Sequence, residues 1–190
     1  MSYSKFSTSI ADYISREIKL DDEKRLVVAY AIENLLLSIL GFFLILLVGA
    51  LFGAALPAAI TALSGGLLRR LSGGAHASTP LKCMLYSSLG YGLVAAGGYH
   101  LSKLIVINNL YLMLVLLFSL LIVTIYAPVD CPAKRIYSVG LRKRLKTGSI
   151  CFVLLNMALV MFIDLESIKL FMSLGTLVQT FTLFPFFNKN

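Results

Sequence analysis

Charge is what this sequence has least of. Only 14% of its 190 residues are Asp, Glu, Lys or Arg, while 58% are hydrophobic and the mean hydropathy is +0.87. A soluble domain carries ~25% charged and ~45–50% apolar residues. A globule of this size needs polar surface that this chain does not have. A soluble one-domain enzyme is thereby excluded, as are disorder and a collagen-like chain. Cysteine is sparse as well. Cys83, Cys131 and Cys151 are odd in number and show no paired spacing, so no disulfide framework is implied. The first 25 residues hold ten charges and no apolar core region, so no secretory signal is expected there. No internal repeat is visible. What remains is an integral membrane protein of several spans.

Basic residues outnumber acidic ones 17 to 9, for a net charge of +8. No basic surface interleaved with aromatics exists to carry nucleic acid, so none is expected as a partner. The excess fits the Lys and Arg that membrane proteins keep in cytoplasmic loops.

The hydrophobic pattern predicts an all-α polytopic bundle. Residues 1–25 form a patterned polar segment, with Phe6, Ile10, Tyr13, Ile14 and Ile18 on one helical stripe. This segment is expected either on the membrane surface or as a cap on the protein's own cytoplasmic face. Residues 26–187 are expected to form the transmembrane part of one domain covering 1–190. Between Leu26 and Leu68 only Glu33 is charged, and Gly49, Gly53 and Pro57 break a run too long for one span of ~20 residues. Six hydrophobic segments follow, at about 26–48, 51–68, 84–102, 104–127, 149–163 and 168–187. The second and fifth are short, so four full spans with two short or re-entrant segments would serve equally. Fifteen of the seventeen basic residues fall on one side of this layout, with only Lys103 and Lys169 on the other. The positive-inside rule then predicts a cell-membrane protein with both termini and both longer loops in the cytoplasm.

One loop stands apart from the rest. It runs Arg69-Arg70-Leu71-Ser72-Gly73-Gly74-Ala75-His76-Ala77-Ser78-Thr79-Pro80-Leu81-Lys82-Cys83. Cysteine attacks as thiolate, and a histidine within hydrogen-bond reach can take its proton. On a straight helix, residues seven apart lie ~10.5 Å apart along the axis, too far for contact. The segment must fold back, which Gly73, Gly74 and Pro80 permit. Two nearby candidate ligands are too few for tetrahedral zinc, so no metal is expected. No other cofactor is implied. His100 is placed near the far interface, and Cys151 is expected as a small buried residue.

The stretch from Arg69 to Cys83 resembles the signature of the accessory gene regulator B family, membrane endopeptidases of Gram-positive peptide quorum sensing. The likeness rests on Arg69-Arg70, Ser72-Gly73-Gly74-Ala75-His76-Ala77 and Cys83. Ala127-Pro128-Val129-Asp130-Cys131-Pro132-Ala133-Lys134-Arg135-Ile136 is similar to a second stretch of that family. Cys131 and Arg135 fall at positions that this stretch leaves open. The resemblance implies a cysteine endopeptidase that cuts a membrane-bound autoinducer pro-peptide near its C-terminus and helps close a thiolactone ring. Carried over, Cys83 is the nucleophile and His76 its base. The implied substrate has an amphipathic leader and an acidic tail, for which Arg69, Arg70, Lys134 and Arg135 are candidate carboxylate clamps. Glu33 and Asp130, with Asn34, Ser72 and Ser78, are candidate orienters of the histidine. The bilayer is the other partner, and Gly and Ser in spans three and six would permit a homodimer. Two different readings compete with the enzyme: a small peptide exporter, and a membrane adaptor that uses its basic loops.

Overall fold

Seven helices and one short 3-10 turn make up a computed structural model that describes residues 2–17, 21–75, 77, 79–130 and 136–188. No strand occurs among the described residues; the one extended contact is an isolated bridge between Gly73 and Val129. The helices are α1 (Ser2–Glu17), α2 (Asp22–Leu51), α3 (Ala55–Ser72), α4 (Pro80–Ser102), α5 (Asn109–Tyr126), α6 (Val139–Phe162) and α7 (Glu166–Phe181). Each of the six hydrophobic segments coincides with one of α2 to α7. Three of these, α2, α5 and α6, are long and apolar enough to cross a membrane by themselves.

The chain divides into two units, Met1–Phe43 and Leu44–Asn190. In the first, Asp12 of α1 accepts from Arg25 Nε at 2.6 Å, and Lys24 Nζ meets Asp21 at 2.9 Å. Asp22 and Glu23 occupy the first turn of α2, where the helix dipole favours negative charge.

The second unit begins inside α2. That helix ends in a Schellman closure: Gly53 takes φ 67° while its N–H donates to the Ala50 carbonyl, and the Ala54 N–H donates to Gly49 at 2.8 Å. The break expected around Gly49, Gly53 and Pro57 is therefore a glycine-stopped helix, with Pro57 in the first turn of α3, where its missing N–H costs nothing. Side-chain caps start the later helices. Thr79, Asn108 and Ser138 each accept a backbone N–H at the head of α4, α5 and α6.

Helices α3 and α7 form the inner pair. They pack most extensively on each other, and α4, α5 and α6 all touch one or both. Where they meet, the buried residues include many small or polar ones, Thr61, Ser64, Gly65 and Ser72 on α3 and Ser173, Gly175, Thr176, Gln179 and Thr180 on α7, beside the larger Leu68, Leu170 and Phe171. Small residues let helix backbones approach, and hydrogen bonds replace the hydrophobic drive that lipid cannot supply. A Cβ on Gly175 would run into the Thr61 carbonyl, and one on Gly65 into the Tyr91 ring. Ser64 Oγ donates to the Met172 carbonyl at 2.8 Å, and Asn156 Nδ2 donates to Thr176 Oγ1 at 3.0 Å. Large aliphatic side chains point the other way. Leu89, Leu93, Leu114, Leu117, Leu121 and Leu155 are exposed, as lipid-facing residues should be.

Two apolar clusters lie on either side of the Ser64–Thr176–Asn156 belt. One holds Leu112, Leu116, Val160, Leu170 and Phe171, and the other Leu68, Ile122, Val123, Ala127, Val153 and Leu183. The second is continuous in sequence with Arg69, Pro128 and Thr182.

Three details depart from the sequence expectation. The run from 128 to 148 was expected as loop, yet α6 starts at Val139, so Arg142, Lys143, Arg144 and Lys146 ride on its first two turns. Leu141 and Leu145 are apolar enough, with the Ser138 cap, to extend the helix beyond the hydrophobic segment. This gives α6 24 residues, which is sufficient to span. Helix α7 stops at Phe181, short of the expected 187, because Pro185 cannot continue it. Cys151 is exposed rather than buried, on the outer face of α6.

Candidate active site

Helix α3 delivers Arg69 and Arg70 in its last turn and then ends at Ser72. Gly73 takes φ 66° and Gly74 φ 137°, both in the region that favours glycine. Space imposes the same residue. A Cβ on Gly73 would collide with the Val129 carbonyl oxygen, and one on Gly74 with Thr182 Oγ1. The glycine pair thus turns the chain out of α3 against two neighbours and starts the seven-residue link to α4.

Both neighbours hold the turn by backbone hydrogen bonds. The Val129 N–H donates to the Ser72 carbonyl at 2.9 Å, and the Ala75 N–H donates to the Thr182 carbonyl at 3.0 Å. His76 and Ser78 come next but lie outside the described residues, as do Cys131, Lys134 and Arg135. The link closes at Thr79, which caps α4. Cys83 then occupies the first turn of that helix, half-buried, with its N–H on the Thr79 carbonyl at 3.0 Å. The positive end of the helix dipole lies there, a setting that favours a thiolate.

Arg69 turns inward rather than toward solvent. Its Nη2 donates to the Ala75 carbonyl at 2.5 Å and to Cys83 Sγ at 3.8 Å, and its Nη1 donates to Gln179 Oε1 at 3.5 Å. A guanidinium therefore bridges the two ends of the His76 loop and faces the sulfur. Gln179, on α7, is fully buried. Its Nε2 donates to the Gly73 carbonyl at 2.6 Å and to Ser72 Oγ at 3.2 Å, while Tyr91 OH donates to its Oε1 at 3.4 Å.

The remaining candidates fall elsewhere. Arg70 is exposed. Asp130 lies one residue beyond the Val129 bridge, and its Oδ2 accepts from Arg142 at 2.6 Å. Its Oδ1 is buried and accepts no hydrogen bond from a described residue. Glu33 and Asn34 belong to the first unit, where Glu33 is half-buried on α2 and Asn34 donates to the Tyr30 carbonyl. His100 Nε2 donates to the Phe52 carbonyl, 3.1 Å away. It stands 17 residues along α4 from Cys83, ~25 Å at 1.5 Å per residue.

Sequence reasoning missed Gln179, Thr182, Tyr91 and the contact of Val129 with Gly73. Gln179 left one usable signal: it is an amide in an otherwise apolar stretch of the last segment. A group so placed must find partners or carry the penalty of an unsatisfied polar atom.

The family profile described as Accessory gene regulator B matches residues 7–183. The AgrB-like protein of Clostridium perfringens (strain SM101 / Type A) is 28% identical over 172 residues, covering 89% of this chain and 78% of that protein. The AgrB-like protein of Clostridium acetobutylicum is 25% identical over 181 residues, covering 95% and 85%. That of Listeria monocytogenes serovar 1/2a is 28% identical over 167 residues, covering 88% and 80%. No solved structure matches the chain.

Proposed function

The chain belongs to the accessory gene regulator B family, which is linked to autoinducer peptide processing in quorum sensing, and from that premise we propose that it is a membrane-embedded cysteine endopeptidase. It cuts a membrane-bound autoinducer pro-peptide on its C-terminal side and passes the acyl group to a thiol of the same peptide. The observation that carries this reading is the sulfur of Cys83 in the first turn of α4, faced by the Arg69 guanidinium, at the end of a loop that a glycine pair turns back.

The steps follow from that setting. The Cys83 thiolate attacks the scissile carbonyl, and the C–N bond breaks. His76 holds the thiol proton and delivers it to the departing amine of the C-terminal tail. The retained peptide is now a thioester on Sγ. A thiolate within that peptide attacks the same carbonyl, the bond to Cys83 breaks, and the ring closes as a thiolactone while Cys83 returns as thiolate. One thioester replaces another, so the exchange is close to thermoneutral and succeeds only where water is excluded. The apolar cluster of Leu68, Ala127 and Leu183 suits that need. Both termini and the catalytic loop face the cytoplasm in this reading, and the bilayer concentrates the amphipathic leader of the substrate.

Arg69 is engaged within the loop. Exposed Arg70, with Lys134 and Arg135, is left as the clamp for an acidic tail. Purified protein in vesicles with a candidate pro-peptide tests the whole reading. Wild type should release the tail, and quenching early should trap a hydroxylamine-sensitive adduct on Cys83. Cys83→Ser should leave the pro-peptide uncut. Normal cleavage by Cys83→Ala sinks the proposal.

A further inference from the structure

Among the described residues, Gln179 is the amide whose every hydrogen-bonding position is committed around Cys83. It sits on α7, outside the motif loops, and is 0% exposed. Its oxygen accepts from Arg69 Nη1 and from the Tyr91 hydroxyl, and its nitrogen donates to the Gly73 carbonyl and the Ser72 hydroxyl. The orientation of the amide follows from those partners. Reversed, it would press its oxygen on the Gly73 carbonyl oxygen and its N–H groups on a guanidinium that can only donate. A buried amide this close to the membrane interior would be costly unsatisfied, and aliphatic packing would serve stability as well. Its four bonds meet at the two groups that define the site: the cation beside the sulfur and the turn that launches the His76 loop.

We infer that Gln179 is a positioning residue, which holds the Arg69 guanidinium against Cys83 Sγ and the Gly73 carbonyl at the entry to the loop. The inference deepens the endopeptidase reading and rests on it. A guanidinium held at 3.8 Å from sulfur supports the thiolate. Without its second anchor, Arg69 keeps, among the described residues, the Ala75 carbonyl and the long contact to sulfur through one nitrogen, and it swings more freely among its rotamers. The thiolate then loses a steady counter-charge.

The test needs no substrate, so it separates failure of this inference from failure of the endopeptidase reading. The full chain in proteoliposomes is treated with iodoacetamide from pH 5 to 10, and alkylation of the Cys83 peptide is followed by mass spectrometry. Gln179→Leu should move the pH midpoint up by about half a unit or more, a roughly threefold lower thiolate fraction near neutrality. Gln179→Glu keeps the length of the side chain but puts a carboxylate on the guanidinium, so its midpoint should also rise. Asn156→Leu, which removes a buried bond in the mid-bundle belt, should leave the midpoint in place. In an Arg69→Met background, Gln179→Leu should add nothing, because its effect travels through Arg69. The inference falls if Gln179→Leu titrates like wild type, or if its shift persists without Arg69. It also falls if Asn156→Leu shifts the midpoint equally. Should Gln179→Leu fail to insert, an unchanged midpoint in Gln179→Glu overturns it. A wild-type protein that cleaves no pro-peptide would count against the endopeptidase alone.

Discussion

The backbone N–H of Val129 donates to the carbonyl of Ser72 at 2.9 Å, joining two loops that lie more than fifty residues apart. Ser72 precedes the glycine pair, and Val129 precedes Asp130. The two stretches that carry the family resemblance are thus one structural unit. The segment after α5 supplies the N–H that receives the Ser72 carbonyl and the carbonyl against which Gly73 packs. Backbone of the second loop therefore braces the turn of the first.

The fit at Gly73 leads to a sharp expectation. Gly73→Ala must place a methyl group against the Val129 carbonyl while holding a positive φ, at ~1–3 kcal/mol of local strain. If that strain is relieved by moving the loop, pro-peptide cleavage should fall at least about tenfold, since misplaced reacting groups lose rate steeply. Gly66→Ala, in α3 with open space where its Cβ would go, should leave cleavage unchanged. Initial rates in vesicles, normalised to inserted protein, make the comparison.

How much of this was legible beforehand differs by element. Composition rests on bulk transfer energies, so the all-helical character and the long apolar helices could be read directly. Helix geometry called for a fold-back between His76 and Cys83, and the glycines expected to permit it, Gly73 and Gly74, do turn the chain out of α3, while His76 itself lies outside the described residues. What holds the turn could not be read. Val129, Thr182 and Gln179 act through backbone groups or through contacts that span over fifty residues, and neither leaves a periodic trace. The extension of α6 through Arg142 to Lys146 was hidden for a different reason. A cap at Ser138 and an amphipathic first turn carry a helix past the point where hydropathy fades.

Asp130 divides its two oxygens between different tasks. Oδ2 pairs with Arg142 in an arrangement still partly open to solvent, where such pairs contribute ~0–1 kcal/mol. Oδ1 is buried and available to a partner beyond the described residues. Arg142→Gln should therefore keep cleavage within about threefold, whereas Asp130→Asn should lose about tenfold or more, because an amide keeps one acceptor oxygen in place of two and carries no charge. Equal effects from the two substitutions would reduce Asp130 to a partner of Arg142. The readout is cleavage rate beside thermal stability in detergent.

The crossing of α3 and α7 makes a prediction about folding rather than chemistry. Gly175→Ala puts a methyl group into the Thr61 carbonyl, where backbone and not a flexible side chain must yield. Overpacking of this kind costs ~1–3 kcal/mol. The variant should unfold at a lower temperature, and its Asn156–Thr176 bond, one residue further along α7, should weaken with it. Gly97→Ala, where the new Cβ meets nothing, should unfold with wild type. Fluorescence-monitored thermal unfolding of purified protein distinguishes them.

Arg70 follows Arg69 in sequence, yet the two face opposite ways. Arg69 is spent on Ala75, Gln179 and the sulfur, while Arg70 is exposed at the end of α3. If Arg70 receives the acidic tail of the substrate, then Arg70→Glu replaces attraction by repulsion at the mouth of the site. Cleavage of an acid-tailed pro-peptide should fall by about tenfold, mainly through KM, and the loss should shrink as salt rises toward 0.5 M, where screening acts within about 4 to 5 Å. Insertion should not change, because most of the basic residues on that side remain. A substrate whose tail carries Lys in place of Glu should be cut better by Arg70→Glu than by wild type. That reversal is hard to obtain from a topological role, and its absence, with cleavage of both substrates unchanged, would remove Arg70 from the site.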